Sequence, residues 1–307
     1  MINMFRNRMV IILLALTVFL NCRKKGTEPE PGPEPAPRIT SGPDATSITD
    51  KSATIAWITD QKTDSQVKYG KSAGNYDGTV SSEELTTDHS LTLSNLEVFT
   101  SYYYIVTSSN ANGTNTSAEK SFTTQVNSRF LLTRAWSKFE QGQYEEALAD
   151  FEAALSISVN LSDAYVGLGW SYAFLGSLDD AKKQFDNAIS IDKQLLDAYV
   201  GRGMVFLAKH KYYLSIGDLT HVLEENAAYV FSHNTTIDYR DVHIALAEAY
   251  FYQGKYANAQ EHVDVLWPDN GLSPGESATW VVDSVSYATY QEALLSAIEK
   301  LKTLVQA

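Results

Sequence analysis

Laid on itself at a shift of 34 residues, the chain repeats: Asp163-Ala164-Tyr165-Val166-Gly167 falls on Asp197-Ala198-Tyr199-Val200-Gly201. Phe151 falls on Phe185, Ala147 on Ala181, Gly142 on Gly176 and Gly169 on Gly203. A fixed period of this length means that one small supersecondary unit is used several times, and such a unit cannot bury its apolar face alone. This stretch must therefore fold as a stack of neighbours sharing a continuous core.

Three units keep strict register. The first (128–161) carries Gly142, Tyr144, Ala147, Phe151 and Ala154. The second (162–195) carries Tyr165, Leu168, Gly169, Tyr172, Gly176, Leu178, Ala181, Phe185 and Ala188. The third (196–229) carries Tyr199, Gly203, Phe206, Tyr212, Ser215 and Leu219, with His210 where the turn glycine stands in the others. A fourth (240–268), with Leu246, Ala247, Tyr250, Gly254, Tyr256, Ala259 and Val263, follows a ten-residue excess around Glu224 to Asp238. That excess reads as an extended helix or a loop.

These residues resemble tetratricopeptide repeats. The resemblance implies antiparallel helical hairpins stacked as a solenoid, with small residues where two helices approach and glycine at the turn. It also implies that first helices line a concave face, where a ligand peptide meets Leu132, Trp136 and Phe139 in the first unit. The second unit supplies Val166, Trp170 and Phe174, the third Met204 and Leu207, and the fourth Glu248, Phe251 and Tyr252. Such an apolar, aromatic lining suits a protein or peptide partner, for example an amphipathic helix. The same stripe at helical spacing is also what buried core looks like. After a loop from 269, Thr289 and Glu292 form a capping box ahead of an amphipathic helix over 290–304. This helix caps the last hairpin or also enters the groove. Trp280 to Asp283 reads as a short strand.

Ahead of the repeats, residues 38–125 alternate apolar and polar positions with turn residues between, the pattern of short strands. Ile55 and Trp57 share one face, as do Val67 and Tyr69, Leu91 and Leu93, and Tyr102, Tyr104 and Val106. Trp57 and the run Leu96-x-Val98-x-Thr100-x-Tyr102 resemble a fibronectin type III domain, with Val98 in place of the usual proline. The resemblance implies an immunoglobulin-like all-β sandwich whose Tyr102 hydroxyl bonds back to the upstream backbone. The chain thus reads as multidomain, an all-β sandwich followed by an all-α solenoid.

The N-terminus reads as an address. Arg6 and Arg8 precede an apolar run of 12 residues, Met9 to Leu20, and the only cysteine, Cys22, follows. Such a run rises about 18 Å as a helix, short of the ~30 Å bilayer core. The layout resembles a bacterial lipoprotein signal peptide (1–21), which implies lipidation of Cys22, although Leu20 and Asn21 depart from the small residues usual before that cysteine. A signal anchor, or a simple secretory peptide, is the alternative. Residues 22–37, rich in Pro and Glu, form an extended tether. Arg23, where some lipoproteins carry an inner-membrane retention Asp, points toward the outer membrane.

Little in the chain advertises chemistry. One cysteine excludes an intramolecular disulfide framework and a multi-cysteine metal site. No phosphate loop, zinc-protease motif or dinucleotide fingerprint occurs. The pairs His210/His221 and His233/His243 lack ligand spacing on one helix face, so no metal or cofactor is expected. A formal net charge of −13 argues against nucleic acid. The expectation is a non-catalytic, lipid-anchored envelope protein that holds a protein partner on its concave face. The alternative is a glycan or small-ligand binding lipoprotein using the sandwich or the aromatic groove.

Overall fold

The computed structural model describes residue 32 and residues 34–305; the expected signal peptide, Cys22 and most of the tether lie outside the described residues. The β domain runs β1 (Ile39–Thr46), β2 (Ala53–Gly70), β3 (Gly78–Leu93), β4 (Ser101–Asn110), β5 (Gly113–Thr116) and β6 (Lys120–Thr123). The alternating pairs Ile55/Trp57 and Val67/Tyr69, read as short strands, lie on one continuous β2, because its alternation survives two register irregularities between Ile58 and Ser65. β3 pairs with β2 along its length, while β1 takes the first half of the other edge and β4 the second. β5 and β6 both pair with β4. The inward residues of both halves meet in one core of Ile55, Trp57, Val67, Leu93, Tyr104, Val106 and Phe122. The Tyr102 hydroxyl accepts from the Glu97 backbone N–H at 3.0 Å, the corner expected of it. His89 is buried, its ring parallel to Trp57 at 4.7 Å. Its nitrogens lie 2.7 Å from the Ser65 hydroxyl and 2.9 Å from that of Thr59, and burial pushes its pKa down. It is a satisfied core residue.

Helices begin five residues after β6: α1 (Ser128–Glu140), α2 (Tyr144–Ile157), α3 (Ser162–Phe174), α4 (Leu178–Ile191), α5 (Leu196–Ala208), α6 (Tyr212–Glu225), α7 (Tyr239–Tyr252) and α8 (Tyr256–Leu266). Each hairpin folds back at one left-handed residue, Gly142, Gly176 and Gly254 at φ +76°, +79° and +73°, with His210 at +55° in the third. The small residues sit where helices touch. A methyl on Gly169 would lie 2.5 Å from the Phe185 ring, and one on Gly203 2.7 Å from Leu219. Phe151, Phe185 and Leu219 recur at one position of the second helices and are fully buried, so each hairpin closes on the next.

Between α6 and α7 the ten-residue excess is a loop. It is not a helical extension, since α6 ends at Glu225 on schedule. Beyond α8, β7 (Val281–Val282) and β8 (Val285–Ser286) make a tiny hairpin turned by Asp283 and Ser284, both at positive φ. α9 (Tyr290–Val305) then packs Leu294, Ala297, Ile298 and Leu301 against Ile244, Ala247, Ala259 and Val263. Its capping box is formed: Thr289 Oγ1 accepts from Glu292 N, and Glu292 Oε2 from Thr289 N. Among the described residues no helix is long and apolar enough to cross a membrane.

Candidate functional site: the concave face

The expected groove residues are not equivalent. Trp136, Phe139, Val166 and Trp170 are buried, Leu132, Met204, Leu207, Glu248 and Phe251 are half-buried, and only Phe174 and Tyr252 are exposed. Phe251 packs into the core under α9, and Tyr252 stacks on Tyr212 at 5.3 Å. Glu248 is paired with Lys302 of α9 at 2.8 Å. α9 therefore caps the last hairpin and reaches the edge of the groove.

The α6–α7 loop covers Trp136, Phe139 and Trp170. It closes on itself: Tyr239 N–H donates to the Tyr229 carbonyl, and Phe231 N–H to that of Ile237. Asn234 Oδ1 turns its tip by accepting from Thr236 N and Oγ1. Asp238, fixed in two-pronged contact with Arg240, caps α7 in a box with Asp241. Three side chains at alternate positions then enter the groove. Phe231 is fully buried among Trp136, Phe139 and Trp170, with ring centroids 6.0, 6.4 and 5.2 Å away. The His233 ring lies parallel on Trp136 at 3.6 Å, with nitrogens 3.5 Å from a Glu140 carboxylate oxygen and 3.8 Å from one of Asp163. The Tyr229 hydroxyl donates to Asp197 at 2.8 Å. Burial raises the pKa of both, and the shared hydrogen bond opposes that rise at Asp197.

One consequence breaks the repeat symmetry. Trp136 Nε1 donates to Asp163 Oδ2 at 3.1 Å. One period on, Trp170 stands at the place of Trp136 and Asp197 at that of Asp163. Tyr229 has taken Asp197, and Trp170 Nε1 is buried with no partner. An unpaired buried donor costs about 1–3 kcal/mol.

Beside the loop the face stays open. A pocket of about 230 Å³ is lined by Trp170, Ala173, Phe174, Met204 and Ala208. It adjoins a cleft of about 570 Å³ between the loop, at Asn234, Thr236 and Ile237, and the end of α9, at Val305. Sequence reasoning missed Tyr229, Phe231 and His233. The available signal was three aromatic rings at period two in a segment that a polar loop would not need.

The histidine pairs weighed from spacing do not meet, but another does. His243 and His262, on α7 and α8, approach Nδ1 to Nδ1 at 2.8 Å. Burial lowers both pKa values, that of His262 to about 4 with help from His243. Among the described residues no group of three or more His, Cys, Asp or Glu is placed to hold a metal.

Residues 138–201, from the end of α1 into α5, match the tetratricopeptide repeat family model. Residues 44–124 match a model described as the purple acid phosphatase N-terminal domain, so the β domain is fibronectin-like in fold while the matching family is named for another context. No curated protein matches the chain. Among solved structures, the chain is similar to YrrB, described as a tetratricopeptide protein with an unusual peptide-binding site, at 17% identity and TM-score 0.42 over 56% of this chain and 85% of that one. It is similar to MamA (MSR-1) at 19% identity and TM-score 0.42, over 58% and 97%. A third likeness, at 21% identity and TM-score 0.31 over 32% and 76%, is to the Yersinia enterocolitica type III secretion chaperone SycD in complex with a peptide of the translocator YopD.

Proposed function

We propose that this chain is a non-catalytic scaffold of the bacterial envelope, lipid-anchored at Cys22, that holds a protein partner on the concave face of its repeats. The observation that carries the reading is the open apolar cleft at Trp170, Phe174 and Met204, flanked by a segment of the chain itself already seated on the same face. A surface that binds one peptide segment through aromatic anchors is suited to bind another. The β domain and the Pro/Glu tether lift the repeats from the membrane, outer rather than inner by the residue after Cys22.

The test is cross-linked co-purification from envelopes with Phe174→Glu, at an exposed position, and Met204→Glu, at a half-buried one, each first shown by circular dichroism to be folded. Loss of a specific partner is expected. An unchanged set of captured proteins removes the cleft as the binding surface. Cys22→Ser is expected to move the protein from the membrane to the soluble fraction, and membrane retention would remove the anchor.

A further inference from the structure

We propose that the α6–α7 loop is a resident, displaceable stand-in for the partner, and that the partner presents an aromatic residue followed two positions later by a cation. This rests on the reading of the concave face as a protein-binding surface. The loop supplies the template. Phe231 fills an aromatic seat, and His233, two residues on, lies flat on Trp136 between the carboxylates of Glu140 and Asp163. A planar cation is the group this second seat favours: a guanidinium stacks on indole and forks onto carboxylates.

Displacement is favoured by two features. The loop covers Trp170 Nε1 without satisfying it, whereas the equivalent donor on Trp136 is paired. A partner that fills the aromatic seat and offers a carbonyl to Trp170 gains a bond the loop does not make. The pocket at Phe174 and Met204, next to the seat, is left empty by the loop and lengthens the track available to an incoming chain. The loop can also lift without unravelling its neighbours. Its own hydrogen bonds close it, and α6 and α7 end on their own caps.

The experiment titrates a labelled synthetic peptide copying residues 227–238, with Arg in place of His at the position of residue 233, into the full chain. Fluorescence anisotropy is expected to show at least tenfold tighter binding to Phe231→Ala than to the unaltered protein. Replacing the peptide's Phe with Ala is expected to weaken binding at least tenfold. Equal affinity for both proteins, or no binding to a variant shown by circular dichroism to be folded, overturns the proposal. Hydrogen exchange in the unaltered protein gives an answer that needs no variant. The amides of Phe231 and Ile237 are expected to exchange at least tenfold faster than those in the middle of α3; exchange at the same rate means the loop opens only by global unfolding and sinks the idea. Should the peptide fail while the Phe174→Glu and Met204→Glu variants lose a captured partner, the scaffold stands and the stand-in does not.

Discussion

Trp136 and Trp170 are one repeat apart, both on first helices and both about equally buried, yet they should respond oppositely to loss of the indole N–H. Replacing either with Phe shrinks the ring by a similar amount, so that part of the cost is common to the two. Trp136→Phe also loses a hydrogen bond to Asp163, whose side chain is 46% exposed, which places the loss near the low end, about 1 kcal/mol. Trp170→Phe removes a buried donor that has no partner and so relieves about 1–3 kcal/mol. Trp136→Phe should therefore be the more destabilising by about 2–4 kcal/mol. Urea unfolding followed by the helical circular dichroism signal measures the difference, with equal slopes required for the comparison to hold. If Trp170→Phe costs as much as Trp136→Phe, the unpaired donor is not a feature of the folded state, and the account of the loop as an imperfect cover fails.

Three further outcomes are expected. His210→Gly should raise stability by about 1 kcal/mol, since His210 alone of the four repeat turns pays for a left-handed φ with a side chain; an unchanged melting temperature would count against it. Arg202→Ala should cost about 3 kcal/mol in urea, because its guanidinium grips buried Asp218 at 2.7 and 2.8 Å and also reaches Asp186; Arg202→Lys should cost about half as much, and equal losses would show that the fork is unimportant. The His243–His262 pair sets a pH dependence. Both folded-state pKa values are depressed, so the unfolded chain takes up protons first, and stability complete above about pH 6.5 is lost as pH falls toward 4. After allowance for partial solvent exposure this amounts to about 1 kcal/mol at pH 5. Melting of His262→Phe beside the unaltered protein at pH 7.5 and 5 should show a smaller acid loss in the variant; parallel losses would refute it.

The repeats were legible because their constraints are local and periodic. Gly169 must be small for Phe185 to approach, Gly142 and Gly176 must turn left-handed, and each requirement recurs at the same spacing. The sandwich was legible in the same way, from alternation and from the corner at Tyr102. Its strand count was not, because the irregularity between Ile58 and Ser65 looks like a turn in sequence, although the chain continues through it. The groove was legible only as a list of positions. Which of them stay open depends on where a loop more than 60 residues from Leu132 comes to rest, and no local pattern records that. Periodicity even misleads here: it makes Trp136 and Trp170 equivalent, while Tyr229, at the end of the third unit and past the last turn of α6, takes the acceptor of one and not the other.

A cover built into the same chain is hard to displace by mass action. A tethered segment competes at a local concentration on the order of millimolar. Were the α6–α7 loop to match the partner contact for contact, a partner of micromolar intrinsic affinity would bind about a thousandfold more weakly than to an empty groove. The loop does not match. It leaves Trp170 Nε1 unpaired, worth roughly a tenfold factor at about 1.4 kcal/mol, and it leaves the Phe174–Met204 pocket unfilled. A partner that pairs Trp170 Nε1 recovers about tenfold of the handicap and one that also fills the pocket recovers more, while one that fills only the aromatic seat recovers neither. On the proposed reading of the concave face, the loop sets a threshold that favours segments extending past Trp170 over lone aromatic side chains.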